Sequence, residues 1–261
     1  MDSTRTRKIA IVNEKGGVGK TVTTINCGAA LAALGKRVLI VDVDPQANAT
    51  KGVGLIPDDL QYSIYDMIIS PENTPASLIV KETSWKGLDI APSHPDLSAA
   101  ELELLNSDGR ENRIKDGLVQ VENQYDFILL DTPPSLSILT VNVLVFANEV
   151  LVPCQTHPYA YSALDSLLET VNNVRENLNP KLKIRGVVAT CYDHRTRVGR
   201  AVLDALKNDS RLSGKLFDSV IRSNITIAES AFYGKPVIFY DKTSPGSLDY
   251  LSLAKELISR K

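Results

Sequence analysis

Two lysines bracket a glycine cluster in Glu14-Lys15-Gly16-Gly17-Val18-Gly19-Lys20-Thr21-Val22. Glycines at 16, 17 and 19 let a backbone turn tightly and aim its N–H groups inward at phosphate oxygens. Lys20 stands where the lysine of a phosphate loop stands, directly before a hydroxyl residue. There it reaches β- and γ-phosphates, while the Thr21 hydroxyl is placed to ligate Mg²⁺. The strict G-x-x-x-x-G-K-[ST] spacing is broken by Glu14, which occupies the first glycine's place. Lys15 has no task in such a loop, so a second cation at its mouth calls for another explanation.

Carboxylates with suitable spacing follow. Val41-Asp42-Val43-Asp44-Pro45-Gln46 places two at the end of an apolar run, and Pro45 turns the chain away. Phe127-Ile-Leu-Leu-Asp131-Thr132-Pro133-Pro134 ends a second run in an aspartate, the Walker B arrangement, in which a carboxylate steadies Mg²⁺ directly or through water. A strand-terminal Asp alone is often only a turn former. Three such features, each at the end of an apolar run, point to one phosphate site.

The elements that must hold these residues alternate along the chain. Short β-branched runs at Ile9–Val12, Val38–Val41, Phe127–Leu130, Val150–Val152 and Gly186–Ala189 are apolar without alternation, as expected of parallel strands covered on both faces. Helical patterns lie between them, notably Thr21–Leu34 closed by Gly35 and Ser162–Leu178 closed by Asn179-Pro180. Strand–helix alternation predicts an α/β fold: a doubly wound, mostly parallel sheet flanked by helices, of P-loop type, with ligands at the carboxyl ends of the strands. The stretch from about 52 to 124 is less regular and reads as helices and loops. Residues 1–261 are expected to form a single unit.

Bulk properties narrow the function. Hydrophobic residues make up 43% of the 261, ample for a packed core, and the net charge of −2 gives no global basic field. Cys27, Cys154 and Cys191 form no C-x-x-C pair and read as small buried apolar residues. His94, His157 and His194 have no metal-ligand spacing. No apolar run approaches a membrane span, and the N-terminal apolar run is too short for a signal peptide.

With Lys15–Thr21 as KGGVGKT, Val41–Thr50 as VDVDPQANAT and Asp126–Pro134 as DFILLDTPP, the chain resembles the ParA/Soj partition ATPases. These belong to the deviant Walker A group that also holds MinD-like proteins. Val152-Pro-Cys-Gln, Tyr159-Ala-Tyr-Ser-Ala-Leu, Asp193-His-Arg-Thr, Ile227-Ala-Glu-Ser and Gly234-Lys-Pro-Val extend the likeness almost end to end. The resemblance implies a cytoplasmic, nucleoid-associated ATPase that uses ATP and Mg²⁺ and forms a homodimer when ATP is bound. It implies nonspecific DNA binding and hydrolysis stimulated by a ParB-like centromere-binding partner. Lys15 would reach across the dimer to the partner's nucleotide, Asp44 would orient the attacking water, and residues 15 to 22 would bind nucleotide. Asp42 is open to a structural role. Val22 departs from the family's usual Thr, a loss of one hydrogen bond worth roughly 1 kcal/mol. Thr226 replaces an arginine in Ile221-Arg-Ser-Asn-Ile-Thr-Ile, a segment that lies near the adenine in the family and bears on the DNA surface.

Between Lys181 and Arg222 basic residues outnumber the acidic Asp193, Asp204, Asp209 and Asp218. Arg195 falls on a family position linked to DNA, Arg197 and Arg200 extend the segment, and Arg222 lies beyond it. Backbone phosphates need only such cations. The same chemistry could position a protein cargo, such as a chemoreceptor array or a microcompartment. A MinD-like membrane cycle is less well served, because amphipathic Leu248–Ile258 fits as a closing core helix. A metabolic ATPase with a metal cluster lacks the paired cysteines it would need.

Overall fold

The computed structural model describes residues 6–162 and 164–260. Among them eight strands form one sheet: β1 (Arg7–Ile11), β2 (Val38–Asp42), β3 (Lys81–Glu82), β4 (Leu88–Ala91), β5 (Phe127–Asp131), β6 (Glu149–Gln155), β7 (Lys183–Tyr192) and β8 (Leu216–Arg222). Their order is β3-β4-β2-β5-β1-β6-β7-β8, parallel throughout except where β3 meets β4. The helices are α1 (Lys20–Ala33), α2 (Asn48–Gly52), α3 (Ile64–Ile69), α4 (Ala76–Ile79), α5 (Leu97–Glu103), α6 (Arg113–Leu118) and α7 (Ile138–Phe146). They continue with α8 (Pro158–Ser162), α9 (Leu164–Asn177), α10 (Arg197–Asn208), α11 (Ile225–Phe232), α12 (Val237–Tyr240) and α13 (Pro245–Ser259).

Successive strand residues point to opposite faces, and both faces are covered. Ile9, Ile11, Val38 and Ile40 pack with Ala29 and Leu31 of α1 and with Tyr250, Leu253 and Leu257 of α13. Ala10, Leu39, Val41, Ile128 and Leu130 enter the opposite cluster with Met67, Ile114, Leu144 and Leu167. Double coverage is why these runs show no alternation. Helix α13 takes up the amphipathic stretch near the end of the chain and packs on α1 and β8, so its apolar stripe serves the core.

All five expected strands are present, each longer than its apolar run. The stretch 52–124 holds the expected short helices but also β3 and β4, and β8 is a further strand. The long helix expected from Ser162 includes Ala163, which lies outside the described residues; α9 covers the remainder up to Asn177. Helix α1 ends as expected, with Gly35 at φ 83 and the Leu34 N–H on the Ala30 carbonyl.

From β1 the chain winds first toward β2 and later toward β6, so β1 marks the reversal of strand order. In open α/β sheets the crevice at that carboxyl edge is where ligands bind. The loops leaving β1, β2, β5 and β7 are the ones that bear the residues singled out by sequence.

Candidate nucleotide site

The loop from Val12 to Gly19 is built from behind as well as from its own glycines. Gly17 and Gly19 take φ of 74° and 88°, left-handed values that residues with a Cβ rarely adopt. The Asn13 amide donates to the Pro153 carbonyl of β6 (2.8 Å), and its oxygen accepts the Lys15 N–H (3.0 Å). On the other shoulder the Thr190 hydroxyl of β7 donates to the Val18 carbonyl (2.8 Å). The Val18 side chain is buried in the core, so only its backbone serves the loop. Helix α1 begins at Lys20 with no side-chain cap, leaving its first N–H groups and its positive dipole end for an anion.

Lys20 is only 7% exposed, and its ammonium donates to the Lys15 carbonyl (3.2 Å). Burial lowers its pKa, against the opposing pull of Asp131 and Asp44. A desolvated cation beside a curled glycine loop is a strong attractor for phosphate oxygens.

Asp42 and Asp131 are in register at the ends of β2 and β5, and both are fully buried. Burial pushes both carboxyls above the usual carboxylate range. Asp42 raises Asp131 further, and the hydroxyls of Thr21 and Thr24 oppose that rise. Their hydrogen bonding separates their roles. Asp42 accepts from the Thr50 N–H and hydroxyl (both 2.8 Å) and from the Asp44 N–H (3.3 Å), so it ties down the loop that carries Asp44. Asp131 accepts from the Thr24 hydroxyl through Oδ1 (3.0 Å), whereas its buried Oδ2 has no hydrogen-bond partner. An orphaned carboxylate oxygen beside the Thr21 hydroxyl fits a hard divalent cation, which takes oxygen ligands. Among the described residues no group of three or more His, Cys, Asp or Glu could hold a metal. A cation here would complete its shell from phosphate and water, as Mg²⁺ does.

Asp44 closes the site from the β2 side. Its Oδ1 accepts the Gln46 N–H (2.9 Å), Ala47 is left-handed at φ 51, and the Ser93 hydroxyl holds the Asp44 carbonyl (2.7 Å). A cavity of about 370 Å³ is lined by Gly16, Gly17, Gly19, Lys20, Thr21, Val22, Asp44, Gln46, Asn48 and Pro134. It shares Gly17, Gly19 and Val22 with a second, mostly apolar cavity of about 240 Å³ walled by Thr190, Cys191, Ile221 to Asn224 and Tyr250. A chamber holding Lys20, Thr21 and Asp44, joined to an apolar one, suits a phosphate chain joined to a base. A larger cavity of about 520 Å³, around Arg37, Trp85 and Tyr125, lies near the amino ends of the strands, away from this chemistry.

Lys15 does not line the phosphate chamber. Its ammonium lies 5.6 Å from the centre of the Tyr159 ring on α8. Its neighbour Glu14 accepts hydrogen bonds from Ser166 (3.2 Å) and Thr170 (3.4 Å) on α9. The two lysines of the loop therefore diverge: Lys20 turns into the chamber, and the half-buried Lys15 turns toward α8.

The family model described as an AAA domain matches residues 6–184. The sporulation initiation inhibitor protein Soj of Bacillus subtilis is 43% identical over 249 residues, covering 95% of this chain and 97% of that protein. The chain belongs to the ParA/Soj family of partition ATPases. The chromosome partitioning protein ParA of Caulobacter vibrioides is 40% identical, covering 100% of this chain and 97% of that one. Among solved structures, cobyrinic acid a,c-diamide synthase from Mycobacterium smegmatis, with bound ATP analog and magnesium, matches with a TM-score of 0.84 and 33% identity over 97% of this chain and 94% of that one.

In this ParA/Soj-type chain the basic residues expected on a DNA surface separate into two places. Arg195, Arg197 and Arg200 share the exposed turn from β7 into α10. Arg195 pairs with Asp193 (2.8 Å) while staying 79% exposed, and Arg200 donates to the His194 carbonyl (2.8 Å). Arg222, at the end of β8, is tied to Asp249 of α13 (2.6 Å) and lines the apolar cavity. Cys191 also departs from expectation. It is exposed, at φ 51, where the pairing of β7 with β8 shifts register between Ala189 and Tyr192. Sequence reasoning missed Asn13, Thr190 and Thr24, whose bonds link positions far apart in the chain, whereas Gln46 and Asn48 lay within a motif already singled out.

Proposed function

We propose that residues 1–261 act as one DNA-positioning ATPase unit whose working form is a dimer with two triphosphates between the copies. The observation that carries this reading is Lys15, turned away from its own phosphate chamber while Lys20 fills it. In the bound state the glycine N–H groups and Lys20 hold the β- and γ-phosphates, and the apolar chamber takes the adenine. Thr21 and Asp131 would hold Mg²⁺, which supplies charge neutralisation across the phosphates when bound. Asp44 orients a water that attacks the γ-phosphorus, and the bond to the β–γ bridging oxygen breaks, giving ADP and phosphate. A carboxylate orients water better than it deprotonates it, so turnover is slow until a partner intervenes. Lys15 from the second copy offsets the charge of the facing triphosphates, so assembly depends on the nucleotide state.

The dimer holds DNA through Arg195, Arg197 and Arg200 of both copies, without reading sequence, and a ParB-like partner stimulates hydrolysis and release. The cell location that follows is the cytoplasm, on the nucleoid. Among the described residues no helix is long and apolar enough to cross a membrane. DNA retention measured with ATP, ADP and no nucleotide across a salt series tests the reading. Binding is expected with ATP alone and, for roughly six phosphate contacts, should fall about a thousandfold between 50 and 200 mM salt. Arg195→Glu should abolish retention and leave dimers intact; retention at the same salt would move the DNA surface elsewhere.

A further inference from the structure

We infer that Tyr159 is a positioning residue for Lys15: its ring keeps the ammonium outside the chain's own phosphate chamber and presents it to a second copy. The inference rests on the dimer reading of Lys15 given above. Three contacts define the lysine. Its N–H is held by the Asn13 side chain, its carbonyl by the Lys20 ammonium, and its own ammonium lies over the Tyr159 ring at 5.6 Å. The first two fix the backbone, and the third sets the direction of a flexible four-carbon stem.

The ring has its own support. It contacts the His157 ring at 5.4 Å, and the His157 N–H bonds the Gln155 carbonyl at the end of β6. The same short helix is anchored where the Tyr161 hydroxyl donates to Asp209 (2.9 Å). The nearest carboxylate in sequence, Glu14, is engaged by Ser166 and Thr170. An aromatic face holds a cation without neutralising it, so the full charge stays available and only a small attraction must be given up at assembly. A carboxylate in the same place would compete with the incoming phosphates. With the ring gone, the freed ammonium can fold back onto the chain's own β- and γ-phosphates, the nearest dense negative charge. Tyr159 is 75% exposed, so its replacement leaves the core intact.

Two measurements with a non-hydrolysable triphosphate and Mg²⁺ test this on the full chain: triphosphate affinity at concentrations too dilute for dimers, and the dimerisation constant by light scattering. Tyr159→Ala should bind triphosphate about two- to fivefold more tightly as a monomer and dimerise about two- to fivefold more weakly. Tyr159→Phe, which keeps the ring, should match the wild type in both. In a Lys15→Ala background the change in monomer affinity on adding Tyr159→Ala should vanish. An effect of equal size there, weakening of both quantities together, or no change in either would overturn the inference. If Lys15→Ala itself dimerises like the wild type, the dimer reading has failed; if it loses dimers while Tyr159→Ala changes nothing, only the role of Tyr159 has.

Discussion

Asp42 and Asp131 lie side by side in register, yet their oxygens serve different ends. Asp42 is occupied by Thr50 and the Asp44 N–H, whereas Asp131 keeps one buried oxygen without a partner. Asp131→Asn should therefore leave stability in chelator unchanged or raise it by about 1 kcal/mol, because it removes a negative charge that burial and the neighbouring Asp42 disfavour. Magnesium-dependent hydrolysis should fall about a hundredfold or more. Full hydrolysis in that variant would remove Asp131 from the cation site. Asp44→Ala should lower turnover at least about a hundredfold while nucleotide still binds, leaving dimers trapped on DNA. Wild-type phosphate release would exclude Asp44 from the reaction. Lys20, Thr21, Asp44 and Asp131 were legible in the sequence because each sits at a fixed offset from a strand end. Asn13 and Thr190 were not, because their bonds to Pro153 and Val18 span 140 and 172 positions and exist only once the sheet has formed.

At the level of elements, the strands that could be read were those buried on both faces. β8, with buried and partly exposed residues in alternation, and β4, with the partly exposed Asp89 between apolar residues, broke the continuous apolar pattern and were missed. The amino ends of the central strands are joined by Glu149 of β6, which accepts from Arg7 of β1 (2.8 and 2.6 Å) and Arg185 of β7 (2.6 Å). Burial alone would raise the Glu149 carboxyl, but hydrogen bonds from the two arginines hold it below its usual range. A depressed folded-state pKa gives stability that is present above the ordinary Glu value, near 4.3, and is lost as pH falls below it. Glu149→Gln should cost about 3 kcal/mol at pH 7 by breaking the part-buried ion pairs that Glu149 makes with Arg7 and Arg185. The deficit should shrink as pH falls from about 4.3 down through the depressed folded-state value, below which the wild-type carboxyl itself takes a proton. Denaturant unfolding at pH 7 and through that range checks this, and a deficit independent of pH would assign the effect to packing.

For the whole molecule, a net charge of −2 and a basic turn at Arg195 to Arg200 are compatible because the charge is local. Fold class and family were legible from the order of motifs along the chain. The turn of Lys15 toward α8, away from the phosphate chamber, was not, since it depends on α8 and α9 returning beside the loop. On the dimer reading proposed above, that direction would make the site half of a larger one. The most direct measurement is particle mass by light scattering with Mg²⁺ and a non-hydrolysable triphosphate, for the wild type and Lys15→Ala. The wild type should double from its 28.5 kDa mass and Lys15→Ala should remain single while still binding nucleotide. A wild type that stays single at saturation, or a Lys15→Ala variant that doubles equally well, would contradict the account.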